Sequence, residues 1–153
     1  MSTHPEEFGP GFAWPLRVYY EDTDAAGVVY YANYLRFMER ARTEWLRALG
    51  FEQDALRREQ GVIFTVRRAE VDYLAPALFN DRLTVHASLS QAGRVSLEFR
   101  QQVVRDSDGT LCCAGKVKVA CVDAERLRPC RIPAAVLAGI QSVTGRTSDA
   151  PVE

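Results

Sequence analysis

Between residues 31 and 49 the apolar side chains recur at helical spacing. Tyr34, Met38, Ala41, Trp45 and Leu49 follow one another at steps of four, three, four and four. That spacing draws one apolar stripe along an amphipathic helix. Arg36, Arg40, Glu44 and Arg47 fill its other faces, and Gly50 stands where a helix commonly ends on a left-handed residue. A shorter helix is predicted at 52–59, ahead of Gly61. Elsewhere the period drops to two, the mark of strands with one buried face. Trp14 to Tyr20 reads as a short strand, with Leu16, Val18 and Tyr20 on one face. Val62 to Tyr73 reads as a long strand that Pro76 brings to a stop. Leu83, Val85, Ala87 and Leu89 alternate with polar residues, as do Val95, Leu97 and Phe99 toward Val104. Ser107-Asp108-Gly109 is a turn signal, after which Val117, Val119 and Cys121 alternate with Lys116, Lys118 and Ala120. Pro129 and Pro133 frame the last segment, with a short helix predicted at 134–140.

The predicted order is one strand, one long helix, then four long strands that read as hairpin-connected. Strands set apart from helices imply an α+β fold with an antiparallel sheet. One stripe-faced helix and one sheet make two layers, so the expected architecture is a long central helix wrapped by a five-stranded antiparallel sheet. Residues 12–141 are predicted to form a single domain, between a disordered leader at 1–11 and a disordered tail at 142–153, both poor in periodic apolar positions.

Composition narrows the possibilities. The 153 residues suit one domain, and 47% hydrophobic with 25% charged residues is ordinary for a globular chain. A net charge of -1 argues against a general nucleic-acid binder. No apolar run approaches the ~20 residues that span a bilayer. MSTHPEEFGPGF holds two glutamates and no apolar core, so it does not read as a signal peptide, and a cytoplasmic location is expected. Only two histidines occur, His4 in the leader and His86 in a predicted strand, which leaves little for His-based acid–base machinery. Cys112, Cys113, Cys121 and Cys130 show no C-x-x-C spacing and no nearby histidine, so they read as small apolar residues rather than zinc ligands. Neither a metal nor a cofactor is called for.

The chemistry concentrates between Val18 and Tyr34. Asp22, Asp24 and Gly27 stand between a strand and the start of the long helix. First-turn N–H groups of a helix lack intrahelical acceptors and carry partial positive charge. An oxyanion forming against them is stabilised without any side chain, and a carboxylate just before them can act on the same carbonyl. The plainer reading of the same spacing is a capping aspartate with a turn glycine.

The stretch FAWPLRVYYEDTDAAGVVYYANYLRFMERARTEWLR resembles the hotdog-fold thioesterases of the 4-hydroxybenzoyl-CoA thioesterase family. Within it the similarity is greatest to the acyl-CoA thioesterases encoded with the bacterial Tol-Pal system. The family pattern D-x-D-x-x-G-x-V, then N/S-Y, then E-x-A-R falls on Asp22, Asp24, Gly27, Val29, Asn33-Tyr34, Glu39, Ala41 and Arg42. Later echoes are Val71-Asp72-Tyr73-Leu74-Ala75-Pro76, Cys121-Val122-Asp123, Arg128-Pro129 and Ile132-Pro133, so the likeness covers about residues 12–141.

The resemblance implies hydrolysis of an acyl-CoA, with Asp24 as nucleophile or general base and the Tyr31 main-chain N–H as oxyanion donor. Glu39 is a further catalytic candidate, set against a buried ion pair with Arg42 or Arg36. Gly27, Val28, Tyr30, Tyr34 and, from a small basic group with Arg126 and Arg131, Arg128 are implied substrate contacts. Tyr30 and Tyr34 otherwise read as core or dimer-contact aromatics. Asp22 is assigned to the turn and His86 to the strand. Members of the Tol-Pal branch commonly carry histidine where Tyr31 stands, which puts acyl preference rather than reaction type in question. The family also implies a homodimer or homotetramer with sites at the subunit interface, and an acyl carrier protein as an alternative carrier of the acyl group. Two other readings fit the same stretch: an acyl-binding or scaffold subunit of a lipid-synthesis or cell-envelope complex with weak catalysis, and an acyl dehydratase. The dehydratase reading suffers from the absence of histidine near the motif.

Overall fold

The computed structural model describes residues 11–144; most of the expected leader and tail lies outside them. The elements are β1 (Phe12–Arg17), α1 (Tyr31–Ala48), α2 (Gln53–Gln60), β2 (Val62–Tyr73), β3 (Arg82–Ala92), β4 (Ser96–Arg105), β5 (Leu111–Asp123) and α3 (Ala134–Thr144). The five strands form one antiparallel sheet in the order β1-β3-β4-β5-β2, as the α+β reading expected.

Helix α1 lies on this sheet along the predicted stripe. Tyr34, Met38, Ala41 and Trp45 are buried and Leu49 is half-buried, while Phe37 and Leu46 widen the stripe to fill the layer between helix and sheet. Trp45 stacks parallel to Phe12 of β1 with ring centroids 6.1 Å apart and meets Phe99 of β4 edge-on at 5.8 Å. Removing so large a buried ring costs about 3–5 kcal/mol. On the sheet side Val85, Ala87, Leu97, Phe99, Val103, Val117, Val119 and Cys121 close the same core. Buried Arg42 donates from Nη1 to Gln101 Oε1 at 2.9 Å, and Gln101 Nε2 donates to the Met38 carbonyl at 3.0 Å. This bridge fastens α1 to β4 inside an otherwise apolar layer, where an unpaired group would be costly.

Three expectations are corrected. The four long strands are not all joined by hairpins. β3, β4 and β5 are, but β2 pairs with β5 at the far edge, so the chain crosses the end of the sheet between β2 and β3. That crossing is fixed by main-chain bonds: Leu74 N–H donates to the Cys112 carbonyl at 2.8 Å and Asn80 N–H to the Val18 carbonyl at 2.9 Å. An eight-residue connection containing Pro76 is too long and bent for a tight turn. Second, β1 stops at Arg17, and Tyr20 is 75% exposed rather than facing inward. The Asp22 carboxylate takes the Tyr19 N–H at 2.9 Å and turns residues 20–22 into one 3-10 turn. Third, α3 continues to Thr144, beyond the 134–140 predicted.

Candidate active site

The segment between β1 and α1 is a closed hairpin. Tyr30 N–H donates to the Asp22 carbonyl at 2.8 Å, Thr23 and Val29 form an antiparallel bridge, and Asp24 N–H donates to the Val28 carbonyl at 2.9 Å. At the tip Gly27 N–H returns to the Asp24 carbonyl at 2.9 Å, with Gly27 at φ +82°, a left-handed conformation that favours glycine. The Asp24 side chain is exposed. Its Oδ1 accepts the Ala26 N–H at 2.9 Å, which fixes the direction of the carboxylate, and its Oδ2 takes no hydrogen bond among the described residues. Asp24 is thus both the turn residue of the plainer reading and a carboxylate with one oxygen turned to solvent.

Asp22 does something different. It is 5% exposed; Oδ1 accepts from Asn33 Nδ2 at 2.8 Å and Oδ2 from the Tyr19 N–H. Because Asn33 lies in the first turn of α1, this carboxylate ties the hairpin to the helix. The turn role expected of Asp22 agrees with this, while the buried partner Asn33 is, in the sequence, a motif position only. The available signal was an Asp and an Asn eleven residues apart on either side of a glycine turn.

Helix α1 starts at Tyr31 with Tyr30 as its N-cap and no side-chain cap. The Asn33 N–H returns to the Tyr30 carbonyl at 2.8 Å, while the Tyr31 and Ala32 N–H groups have no acceptor among the described residues. Next to this helix end a cleft of about 250 Å³ is lined by Val29, Tyr31, Tyr34, Tyr73, Leu74, Ala75 and Pro76. Its aromatic wall is continuous: Tyr31 meets Tyr73 edge-on at 6.0 Å, and Tyr34 meets Tyr73 at 5.7 Å. Tyr34 is buried, its Oη accepts the Ala77 N–H at 3.1 Å, and burial pushes its phenol up to about 12, so it stays neutral. Tyr30 packs on Tyr31 at 4.7 Å and remains 44% exposed. Val28 bridges Leu78, which holds the hairpin against the β2–β3 crossing.

Other predicted site residues lie elsewhere in the chain. Glu39 is eight residues beyond Tyr31, ~12 Å along the helix axis. It is exposed, and its Oε2 accepts from Thr43 Oγ1 at 2.6 Å. The buried ion pair with Arg42 or Arg36 does not form among the described residues, because Arg42 turns inward to Gln101; desolvation lowers its guanidinium to about 10. Glu39 instead rims a second cavity, about 150 Å³, floored by Leu46, Phe64, Leu97, Phe99 and Val119. Arg128 sits in the loop after β5, where Asp123 N–H donates to its carbonyl at 2.8 Å. The aromatic cleft is at the opposite end of β5, since Tyr73 pairs with Cys113. The ten residue steps of strand from Cys113 to Asp123 span ~33 Å. Within one chain, Arg128 and the Asp24 hairpin therefore do not share a site. His86 is a half-buried strand residue opposite Ala13 and Gln102, and burial lowers its pKa.

An uncapped helix N-terminus, a carboxylate hairpin and an aromatic cleft meet at one end of a helix packed on a five-stranded antiparallel sheet, the layout of a hotdog fold. Residues 18–140 match the thioesterase-like superfamily. The chain is 44% identical over 128 residues to "Acyl-CoA thioesterase YbgC" of Haemophilus influenzae, covering 84% of this chain and 93% of the relative. It is 46% identical over 127 residues to "Acyl-CoA thioester hydrolase YbgC" of Escherichia coli O6:H1, covering 83% and 93%. Among solved structures, a probable thioesterase from Bartonella henselae superposes with a TM-score of 0.76 at 32% identity, covering 80% of this chain and 99% of that one. The chain belongs to the thioesterase-like superfamily, and it is a thioester hydrolase. No helix among the described residues is long and apolar enough to cross a membrane.

Proposed function

We propose that this protein hydrolyses acyl-CoA to the free acid and coenzyme A, with Asp24 as the acting carboxylate and the Tyr31 N–H as the oxyanion donor. The observation that carries this reading is the uncapped start of α1, bonded through its N-cap Tyr30 to the hairpin that presents Asp24. The acyl-CoA thioesterase names of the two YbgC relatives supply the substrate class. The thioester carbonyl accepts the Tyr31 N–H. Asp24 either attacks the carbonyl carbon to give a mixed anhydride that water opens, or takes a proton from the attacking water. The thiolate leaves without a strong acid, because thiol pKa values are near ~8.5. Gly27 and Val28 shape the hairpin edge along which the thioester lies, and Tyr30, Tyr31 and Tyr34 shape the acyl end.

The reading includes a homodimer. β2 is an edge strand with Val66, Arg67, Arg68, Ala69, Glu70, Asp72 and Tyr73 exposed, and an open edge of twelve residues must be paired or covered. Antiparallel pairing of two β2 edges about a two-fold axis sets the Tyr73 end of one protomer beside the Val62 end of its partner. That arrangement brings the Glu39 cavity and Arg128 of one chain toward the Asp24 hairpin of the other. It gives Arg128 a route to a coenzyme A phosphate, and Glu39 a route to the acyl group. Two such dimers can assemble further into a tetramer. An acyl carrier protein presents the same pantetheine thioester and is the alternative donor. A cytoplasmic site of action alongside the Tol-Pal system completes the proposal. Thiol release from short, long and aromatic acyl-CoAs tests it; no turnover on any of them by the folded protein would reject it.

A further inference from the structure

Cys121 and Cys130 are nine residues apart in the chain, yet their Sγ atoms stand 3.8 Å apart. The backbone holds them there. Cys130 N–H donates to the Cys121 carbonyl at 2.9 Å, Val122 bridges Pro129, and Asp123 N–H donates to the Arg128 carbonyl. Residues 128–130 therefore return along the end of β5 as a short antiparallel partner that closes the Asp123–Arg128 turn. Cys121 belongs to the core and is fully buried, whereas Cys130 packs against the core half-buried. Cys112 and Cys113 are buried farther down β5.

We propose that Cys121 and Cys130 are a reversible oxidation site, a dithiol that closes to a disulfide and staples the segment carrying Arg128 and Arg131 onto β5. The backbones are already bonded neighbours, so side-chain rotation suffices to bring the sulfurs within bonding distance. The oxidant is a small disulfide such as oxidised glutathione. The Cys130 thiolate attacks one glutathione sulfur, forms a mixed disulfide and releases the first glutathione, which takes up the proton that Cys130 lost. The Cys121 thiolate then attacks the Cys130 sulfur and expels the second glutathione. Two protons and two electrons leave the protein, and one glutathione disulfide takes them up to become two thiols. Cys130 is the less buried of the two thiols and is therefore the first nucleophile; Cys121, fully buried and with its thiol pushed up by that burial, is the resolving one. The second step is intramolecular and gains from the high effective concentration of a neighbouring group. This site does not depend on the thioesterase reading.

The test uses the full chain, folded, treated with oxidised glutathione, alkylated and digested with trypsin. Cleavage separates Cys121 in residues 119–126 from Cys130 in residues 127–131, since trypsin does not cut before Pro129, and leaves Cys112 and Cys113 together in 106–116. The expected product is peptide 119–126 joined to 127–131, two hydrogens lighter than the sum of the two. Closing a ten-residue loop raises the Tm by roughly 5–10 °C, and dithiothreitol reverses the rise. Cys130→Ser, at the half-buried position, should remove both the link and the rise. Four free thiols after treatment, a stable glutathione adduct on Cys130 without the link, a link through 106–116, or a linked protein with unchanged Tm would each overturn the proposal.

Discussion

The Asp22–Asn33 bond is the structural hinge between the hairpin and the helix end, and its strength can be measured by reversing it. Asn33→Asp places a second carboxylate where an amide donated at 2.8 Å, in a site where both residues are 5% exposed. Like charges that close cannot both ionise, so one must take a proton on folding. Protonating an ordinary carboxyl at pH 7 costs about 4 kcal/mol, at ~1.4 kcal/mol per unit above a pKa near ~4. That figure is the ceiling of the loss, and at pH 5 the ceiling falls to about 1.5 kcal/mol. The sign is fixed: the shared proton raises a folded-state pKa, so the variant's stability is retained at low pH and lost as pH rises. Adding Asp22→Asn restores the pair with donor and acceptor exchanged. The introduced amide oxygen at position 22 can still accept the Tyr19 N–H, and its nitrogen donates to the introduced carboxylate at position 33. Urea unfolding of wild type, both single variants and the double variant at pH 5 and 7 gives the coupling. The expected coupling is at least about 1 kcal/mol at pH 7 and smaller at pH 5. Asp22→Asn alone should cost little, because an amide flip at Asn33 accommodates it. Additive effects at pH 7, or a loss that grows toward pH 5, would refute the reasoning. If the bond also sets the hairpin on the helix, kcat of folded Asn33→Asp should drop more than KM rises, and the double variant should recover it.

The remaining predictions concern assembly, acyl choice, the helix glutamate and alkaline stability. Sedimentation at micromolar concentration should show a dimer or larger; 17.1 kDa species alone would contradict the paired β2 edges. Tyr31→His should shift acyl-chain preference more than the best-substrate kcat, since the main-chain N–H survives; a large uniform gain in kcat across a substrate panel would show that the missing imidazole mattered. Glu39→Gln removes a charge bound to Thr43 at the rim of the 150 Å³ cavity, and should change KM between acyl groups while leaving kcat within about tenfold; equal losses in kcat for every substrate would make Glu39 catalytic. Tyr34, pushed to about 12 by burial, adds stability that is full below pH ~10 and lost as pH rises toward 12, on the order of 2–3 kcal/mol. Tyr34→Phe should flatten that slope at a fixed cost of about 1 kcal/mol from the lost Ala77 bond; parallel pH curves would contradict it.

The layers were legible because burial writes period into sequence. The Tyr34-to-Trp45 stripe and the alternation of Val117, Val119 and Cys121 with Lys116 and Lys118 placed α1 and β5 on their buried faces. Strand order was not legible. A run such as Val62–Tyr73 says that one face is buried but not which neighbour pairs with it, and the pairing with β5 depends on contacts across fifty residues. The early end of β1 was hidden for a local reason: a single carboxylate capturing the Tyr19 N–H overrode the alternation of Leu16, Val18 and Tyr20. At the site, the motif marked Asp24, Gly27 and the helix start, which are local features. That Glu39 and Arg128 stand far from Asp24 within one chain is a property of strand length and topology, which no motif spacing encodes.

The most direct test of the central claim is kcat for Asp24→Asn on the best acyl-CoA substrate. The amide keeps the shape of the carboxylate, and its oxygen can still accept the Ala26 N–H at the hairpin tip, but it can neither attack a carbonyl nor take a proton. The account predicts a fall of about 10²–10⁴-fold in kcat, with KM and Tm close to wild type, and more if the covalent route carries the reaction. Near-wild-type kcat in folded Asp24→Asn would contradict it and move the catalytic carboxylate to Glu39.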